Sequence, residues 1–469
     1  MSRGNEKGGN MGIDGAGRGR GMTRRGFLEG SAKAAAAAGL FTLVPRHVLG
    51  GPGRKAPSEK LNIAGIGIGG RGLGDLKSLD GENVVALCDV DARHAAGAFK
   101  EYPNARPHTD FRKMLDTQKD IDAVVVATPD HLHAVVSMAA MKLGKHVYCE
   151  KPMAHTVEEV RVMGEAARRY KVATQMGNQG NSFEGVRLME EWIRDGAIGP
   201  VREVHAWTNK PIWPQGIDRP LDKPPVPPAL DWDLWLGPAP ERPYHTAYLP
   251  FVWRGWWDFG CCALGDMGCH VLNNVVRPLK LGAPTSIEAY STKVNAETGP
   301  LASILYYQFP ARGDMLPVRL TWYEGGMMPP RPEELEDDRR LGDNEGVLFV
   351  GDKGKLTCSC YGEGPRIIPE AKMREYKRPP KTIPRSIGHH KEWVAACKGG
   401  PPAGSNFEAA GPLTEIVLLG NVAIRAAASG QTESGHPVKI EWDAANMKIP
   451  NRPEANRFLS KTYRKGWSL

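Results

Sequence analysis

At 469 residues, with 41% hydrophobic and 24% charged residues, the chain is too long for one ordinary core and too apolar for a disordered class. The formal charge of +8 is a local property: residues 1–60 hold 11 Lys or Arg against 4 Asp or Glu, and the other residues carry 50 against 49. That balance excludes a phosphate-binding footprint on the folded body, and with it nucleic acid as a partner.

Residues 1–21, rich in Gly and Arg, read as a low-complexity extension. Thr23, Arg24, Arg25, Gly26, Phe27 and Leu28 then precede a weakly apolar run, Ala32 to Val44, the layout of a twin-arginine export signal. The run is too short and too rich in alanine for a membrane span. No clean Ala-x-Ala cleavage site follows, so both removal of the signal and attachment through an uncleaved leader stay open. Residues 1–58 are assigned to extension, signal and linker, which makes the export machinery a partner and the periplasm, or another extracytoplasmic space, the destination. The eight cysteines show no CxxC pair and no zinc-ligand spacing, so no metal site is predicted. Export in the folded state from a reducing cytosol also argues against a disulfide framework.

From residue 60 strands and helices alternate. Leu61 to Ile66, Asn83 to Cys88, Ile121 to Ala127, Lys145 to Cys149 and Val172 to Met176 read as buried strands. Helices are predicted over Asp130 to Leu143 and over Thr156 to Tyr170, where Thr156 and Glu159 form a capping-box pattern. Apolar strands joined by helices predict a doubly wound parallel sheet of the Rossmann type over residues 59–177. Over 178–469 the pattern changes to strands at Val201 to Thr208, Ser286 to Ser291, Ser303 to Phe309, Val318 to Tyr323, Val347 to Val350 and Lys355 to Cys358. Few helices separate them, which predicts an α+β domain with a large, mostly antiparallel sheet. Helices return at Ser386 to Cys397 and Glu408 to Ala428. Between residues 207 and 259 lies a proline-rich stretch with seven of the twelve tryptophans, and loops of that length are usually functional.

Gly67, Gly69 and Gly72 form GxGxxG between a strand and a helix, the spacing that permits a tight turn, close approach to a pyrophosphate and helix–strand packing. Asp89 follows 22 residues after Gly67, at a strand end where its carboxylate can accept hydrogen bonds from an adenosine ribose and repel a 2′-phosphate. NAD is therefore favoured over NADP. Thr128, Pro129 and His133 follow one strand, and Glu150, Lys151 and Pro152 follow the next, which delivers a lysine to the ligand-binding edge of the sheet. Asp266 and His270, four residues apart, share one helical face, where His270 can act as general base while Asp266 orients it or binds a substrate hydroxyl. In the aromatic stretch Trp207, Trp213, Trp253, Trp256 and Trp257, with His245, Arg254 and Asp258, offer flat faces beside polar tips, suited to a pyranose.

Taken in order, the strand, glycine turn, Asp89, the Thr-Pro-x-x-x-His of residues 128–133 and the Glu-Lys-Pro of residues 150–152 resemble the Gfo/Idh/MocA family of sugar and inositol dehydrogenases. The resemblance implies a catalytic Lys151 beside the nicotinamide, a contact from Glu150 to the nicotinamide ribose, and Asp266 and His270 as the family's Asp-x-x-x-His. The expected cofactor contacts are Gly67, Ile68, Gly69, Arg71, Gly72, Asp89, Thr128, Pro129, His133 and Glu150, and the expected substrate contacts Gln179, His245, Arg254 and Trp257. The activity implied is oxidation of a secondary alcohol of a sugar, polyol or glycoside by NAD. Because free NAD is not expected outside the cytosol, a tightly held cofactor follows from the export signal. Exported relatives grouped as glycoside hydrolases of family 109 imply an alternative, glycoside cleavage by oxidation, elimination and reduction. A non-catalytic sugar-binding protein is the alternative of another class. By analogy with the family, a homo-oligomer is expected.

Overall fold

The computed structural model describes residues 59–342, 344–429 and 437–469; the expected twin-arginine signal with Arg24 and Arg25 lies outside them. The first sheet has six strands, β1 (Asn62–Ile66), β2 (Asn83–Cys88), β3 (Arg106–His108), β4 (Ala123–Val126), β5 (His146–Cys149) and β6 (Thr174–Met176). All pair in parallel in the order β3-β2-β1-β4-β5-β6. β1 has β2 on one side and β4 on the other, so the chain reverses its direction of travel across the sheet there, and an α/β sheet opens its ligand crevice at such a point. The central strands are buried throughout, as the apolar runs require: Ile63, Ala64, Val124, Val126, Val147 and Cys149 are inaccessible. The helix Val157–Tyr170 starts at Thr156, which accepts the Glu159 N–H while the Glu159 carboxylate accepts the Thr156 N–H, as the capping pattern predicted.

The second sheet has eight strands: β7 (Val201–Thr208), β8 (Ser286–Ser291), β9 (Ser303–Phe309), β10 (Val318–Glu324), β11 (Glu345–Gly351), β12 (Gly354–Ser359), β13 (Arg366–Ile368) and β14 (Val438–Glu441). Their order is β13-β12-β11-β7-β10-β9-β8-β14, and every neighbouring pair is antiparallel except β7 with β10. The sheet is thus mixed and mostly antiparallel. The helix Phe407–Ser429 packs on the helices Val157–Tyr170 and Cys262–Val271 and on β8 and β14, binding the two sheets to one core. By length and composition it could cross a membrane, yet most of it is buried in the protein. The helix His389–Cys397 crosses to the first sheet, where fully buried Trp393 meets the Tyr148 ring edge-on at 5.6 Å.

The aromatic stretch carries more structure than its prolines suggest. A short helix, Trp232–Leu236, and a 3₁₀ turn, Val252–Gly255, enclose a small core of Trp235, Tyr244, Tyr248, Trp256 and Phe259. Arg242 lies 4.8 Å from the Phe259 ring centre and pairs with Asp258.

One buried acid gives this fold a pH dependence. Glu324, 1% exposed at the end of β10, accepts from Ser303 Oγ at 2.7 Å and Trp322 Nε1 at 3.0 Å, and burial lifts its carboxyl from 4.5 to about 7. A folded-state value above the unfolded one stabilises fully below pH 4.5 and loses that stabilisation as pH rises through 7. Glu324→Gln is expected to leave the unfolding free energy near pH 4 unchanged and to raise it by roughly 3 kcal/mol at pH 8 in urea titrations. A gain of equal size at both pH values would refute the buried charge as its cause.

Candidate active site

Parallel register alone assembles most of the site. Ile66 pairs with Cys88 and Val126, Val126 with Cys149, and Cys149 with Met176, so the residues that follow each strand stand in one row. That row is Gly67, Asp89, Ala127 with Thr128, Glu150 with Lys151, and Gly177. Gly67 has φ +75°, and a Cβ there would lie 2.7 Å from the Thr128 backbone nitrogen; one on Gly72 would lie 2.1 Å from the Gly67 carbonyl oxygen. Both glycines are therefore required by the turn, not merely tolerated. The Asp89 carboxylate accepts from Ile68 N–H at 2.8 Å, Gly69 N–H at 3.2 Å and Asp91 N–H at 3.0 Å. It braces the turn, a role additional to the expected ribose contact, and three donors leave about one of a carboxylate's roughly four acceptor sites free on a residue that lines the cleft.

This cleft, open to solvent and with about 1130 Å³ of empty space, is lined by Gly67, Gly69, Arg71, Asp89, Thr128 and Pro129 together with Leu234, Trp235 and Trp253. A glycine cradle that any side chain would fill, beside an acid at the end of β2, fits a nicotinamide dinucleotide. A second cavity, about 910 Å³ of space open to solvent, has Arg71, Ala127, Thr128, Phe251, Trp253 and Arg254 in common with it, so the two adjoin.

Lys151, Asp266 and His270 all line this second cavity. Lys151 Nζ donates to Asp266 Oδ1 and to the Asp266 carbonyl oxygen, each at 2.7 Å, and Arg254 Nε donates to the same Oδ1 at 2.9 Å. Burial opposes ionisation of Asp266, but Lys151 and Arg254 hold its carboxyl below the usual range. Asp266 and His270 share a helical face as the spacing predicted, yet the carboxylate serves Lys151 and Arg254 and does not hydrogen-bond the imidazole. His270 Nδ1 is buried without a hydrogen-bond partner, and Tyr361 packs edge-on against the ring at 4.9 Å. Burial, aided by Lys151, pushes His270 down to about 3.

Glu150 accepts from Arg71 Nε at 3.1 Å and Gln179 Nε2 at 3.0 Å, and burial lifts it to about 7. Gln179 and Arg254 also line the cavity. His133 has a different role from a direct cofactor contact. Its ring nitrogens lie 2.7 Å from the Pro152 carbonyl oxygen and 2.9 Å from that of Thr128, and only an imidazolium donates to both. Burial opposes that charge, while Cys149, Asp130 and the Pro152 carbonyl raise the ring to about 10. His133 thus ties the Thr128 loop to the Lys151 loop.

Two expected substrate contacts fall elsewhere. His245 pairs with Asp222 at 3.2 Å and accepts the Ala247 N–H, and it lines neither the cleft nor the second cavity. Trp257 is 4% exposed, donates to the Asn295 carbonyl and stands 5.2 Å from the Arg425 guanidinium in the core. Trp207 and Trp256 are fully buried as well, which leaves Trp213 and Trp253 as the tryptophans of the cavity wall. Lys210, Phe251 and Tyr361 also line the cavity and escaped the sequence reading as individual contacts. Lys210 follows β7 closely, a signal that strand-end reasoning could have used, whereas no local pattern marks Tyr361.

Comparison with known proteins agrees with this architecture. Residues 60–178 match the oxidoreductase family's NAD-binding Rossmann fold, and residues 200–298 match its C-terminal alpha/beta domain. These are the two domains of the Gfo/Idh/MocA oxidoreductases, matched over those residues. Among curated members, a levoglucosan dehydrogenase of Pseudarthrobacter phenanthrenivorans is 33% identical over 115 residues, 24% of this chain and 29% of that one. An inositol 2-dehydrogenase of Salmonella typhimurium is 33% identical over 150 residues, 31% of this chain and 44% of the relative. The chain thus spans less than half the length of these relatives. In fold it is similar to the WlbA dehydrogenase of Bordetella pertussis, solved with NADH and UDP-GlcNAcA, at a TM-score of 0.55 and 18% identity over 82% of this chain and all of that one.

Proposed function

We propose that the protein is an exported NAD-dependent oxidoreductase that oxidises a secondary alcohol of a sugar, polyol or glycoside. The observation that carries this reading is the Lys151 ammonium, fixed by Asp266 at 2.7 Å in a cavity that adjoins the dinucleotide cleft. An ammonium has three donors, and two go to Asp266, so the third is available to a substrate oxygen that develops alkoxide charge. Bound NAD would supply the hydride acceptor. His270, neutral above the acid range, takes the hydroxyl proton, which becomes strongly acidic as hydride leaves. Trp213, Phe251 and Trp253 provide the apolar wall for the ring's C–H face. The export signal favours a cofactor that travels with the folded protein and is regenerated in place.

A second reading has support from the carboxylates. Asp266 is engaged by two cations, Glu150 by Arg71 and Gln179, and Asp130 by the Cys261 N–H at 2.9 Å. A free pair for direct glycosidic displacement is missing from these three, so glycoside cleavage here would run through oxidation at the same site. The test is to purify the protein without added cofactor, identify what copurifies, and add sugars and an aryl glycoside. A ketosugar with reduced nicotinamide supports the dehydrogenase. Phenol release without net reduction supports the glycosidase. No copurifying or added nucleotide bound, and no conversion, would sink both.

A further inference from the structure

The cofactor cleft has two ends. One lies over β4 at Thr128, where it adjoins the cavity that Lys151 lines; the other lies over β2 and β3, beyond Asp89, where Phe111 follows β3. At this far end part of the wall comes from outside both regions that match the family. Trp467 lines the cleft there, its ring centre 6.1 Å from that of Phe111 and tilted by 42°. The Arg112 guanidinium lies 4.4 Å from the indole centre and is itself held by Asp110 through hydrogen bonds of 3.0 and 2.9 Å.

The segment that carries Trp467 is fastened along its length. Lys461 Nζ donates to the His131 carbonyl at 3.0 Å and pairs with Glu159 at 2.8 Å, and Tyr463 donates to the same Glu159 at 2.7 Å. Arg464 donates to the Gly237 carbonyl at 2.9 Å and the Asp233 carbonyl at 2.8 Å, and its own carbonyl accepts the Trp467 N–H at 3.0 Å. Lys142 Nζ then donates to the Leu469 carbonyl at 2.6 Å. The indole is therefore presented to the cleft by a fixed scaffold, with its position set on both flanks.

We propose that Trp467 forms the adenine subsite together with Phe111 and sets how tightly NAD is retained. The inference rests on the NAD reading of the cleft. Asp89 marks the ribose, and the next part of the dinucleotide outward is the base. The lining includes flat or apolar Phe111, Leu132, Val136, Leu234 and Trp467 beside Thr109 and the carboxylate of Asp110, which suits a purine better than a phosphate. The nearby cation, Arg112, is engaged by Asp110 and the indole, so it offers a 2′-phosphate little, in keeping with NAD over NADP.

The test compares NADH with reduced nicotinamide mononucleotide, which lacks the adenylate half, in fluorescence titrations of the full chain. Trp467→Ala is expected to weaken NADH binding by about tenfold and to leave the mononucleotide within about twofold of wild type. The same variant should lose its copurifying cofactor on dialysis sooner, while Trp467→Phe keeps most of it. If the alanine variant does not fold, Trp467→Leu, which keeps bulk without the ring, carries the same expectation. Unchanged NADH affinity, or equal weakening of both ligands, would overturn the proposal. A wild-type protein that binds neither ligand would instead overturn the NAD reading.

Discussion

Lys151→Met is expected to lower kcat by roughly a thousandfold while NADH affinity stays within about threefold of wild type. Methionine keeps the length and apolar stem of the side chain and removes the charge, so the substitution isolates what the ammonium does. A single preorganised donor at a developing oxyanion is typically worth about a hundred- to a thousandfold, and Lys151 contributes a full charge in a cavity with only 13% of its side chain exposed. The fold should survive. Breaking a buried pair by removing one partner commonly costs about 3–5 kcal/mol, because the other charge is left uncompensated. Here Asp266 keeps Arg254 at 2.9 Å, so its carboxylate is not orphaned and the loss should be smaller. Steady-state rates with saturating NAD and sugar, beside an NADH titration, make the measurement. A kcat within tenfold of wild type would return Lys151 to the role of a structural ion pair.

The first sheet was legible because parallel strands covered on both faces read as continuous apolar runs, and register then placed Gly67, Asp89, Thr128 and Glu150 in one row without further information. β3, the tripeptide Arg-Pro-His, was missed because three residues with a proline carry no period. The pairing of β7 with β10 in parallel was equally unreadable, since the crossing that decides it is tertiary. At the site, the spacing of Asp266 and His270 correctly set their shared face, but the partner of Asp266 lies 115 residues away, and no local pattern names Lys151 as that partner. Trp257 and Trp253 look alike in sequence; one is core and the other cavity wall, and the difference is set by how residues 230–259 fold back on themselves. Tyr361 reaches His270 from the turn after β12, and Trp467 reaches the cleft from the segment that follows Lys461. Both are placed by long-range packing, which composition and periodicity do not encode.

His270→Ala is expected to lower kcat/KM by about a hundred- to a thousandfold, the usual contribution of a positioned proton acceptor, and added imidazole should restore part of it. The wild-type pH profile gives the sharper test. With His270 pushed down to about 3 by burial and by the Lys151 ammonium, the imidazole is already neutral at pH 5, and kcat/KM should show no limb near 6.5 from this group. Stability follows the same proton with a definite sign. The unfolded chain takes it up near pH 6.5, whereas the folded chain resists until about 3, so the folded state loses ground as pH falls through that window. His389, also held near 3 by burial, acts in the same direction. A limb that does occur between pH 6 and 7 should disappear in Glu150→Gln, because that carboxyl titrates at about 7 beside the cavity. If the limb persists there and vanishes in His270→Ala, the neutral-base assignment is wrong. In Lys151→Met the charge that helps depress His270 is gone, so the acid limb should move upward from about 3. Residues acting on one substrate oxygen in one step should also be non-additive, so the double variant should lose no more rate than the more damaging single change.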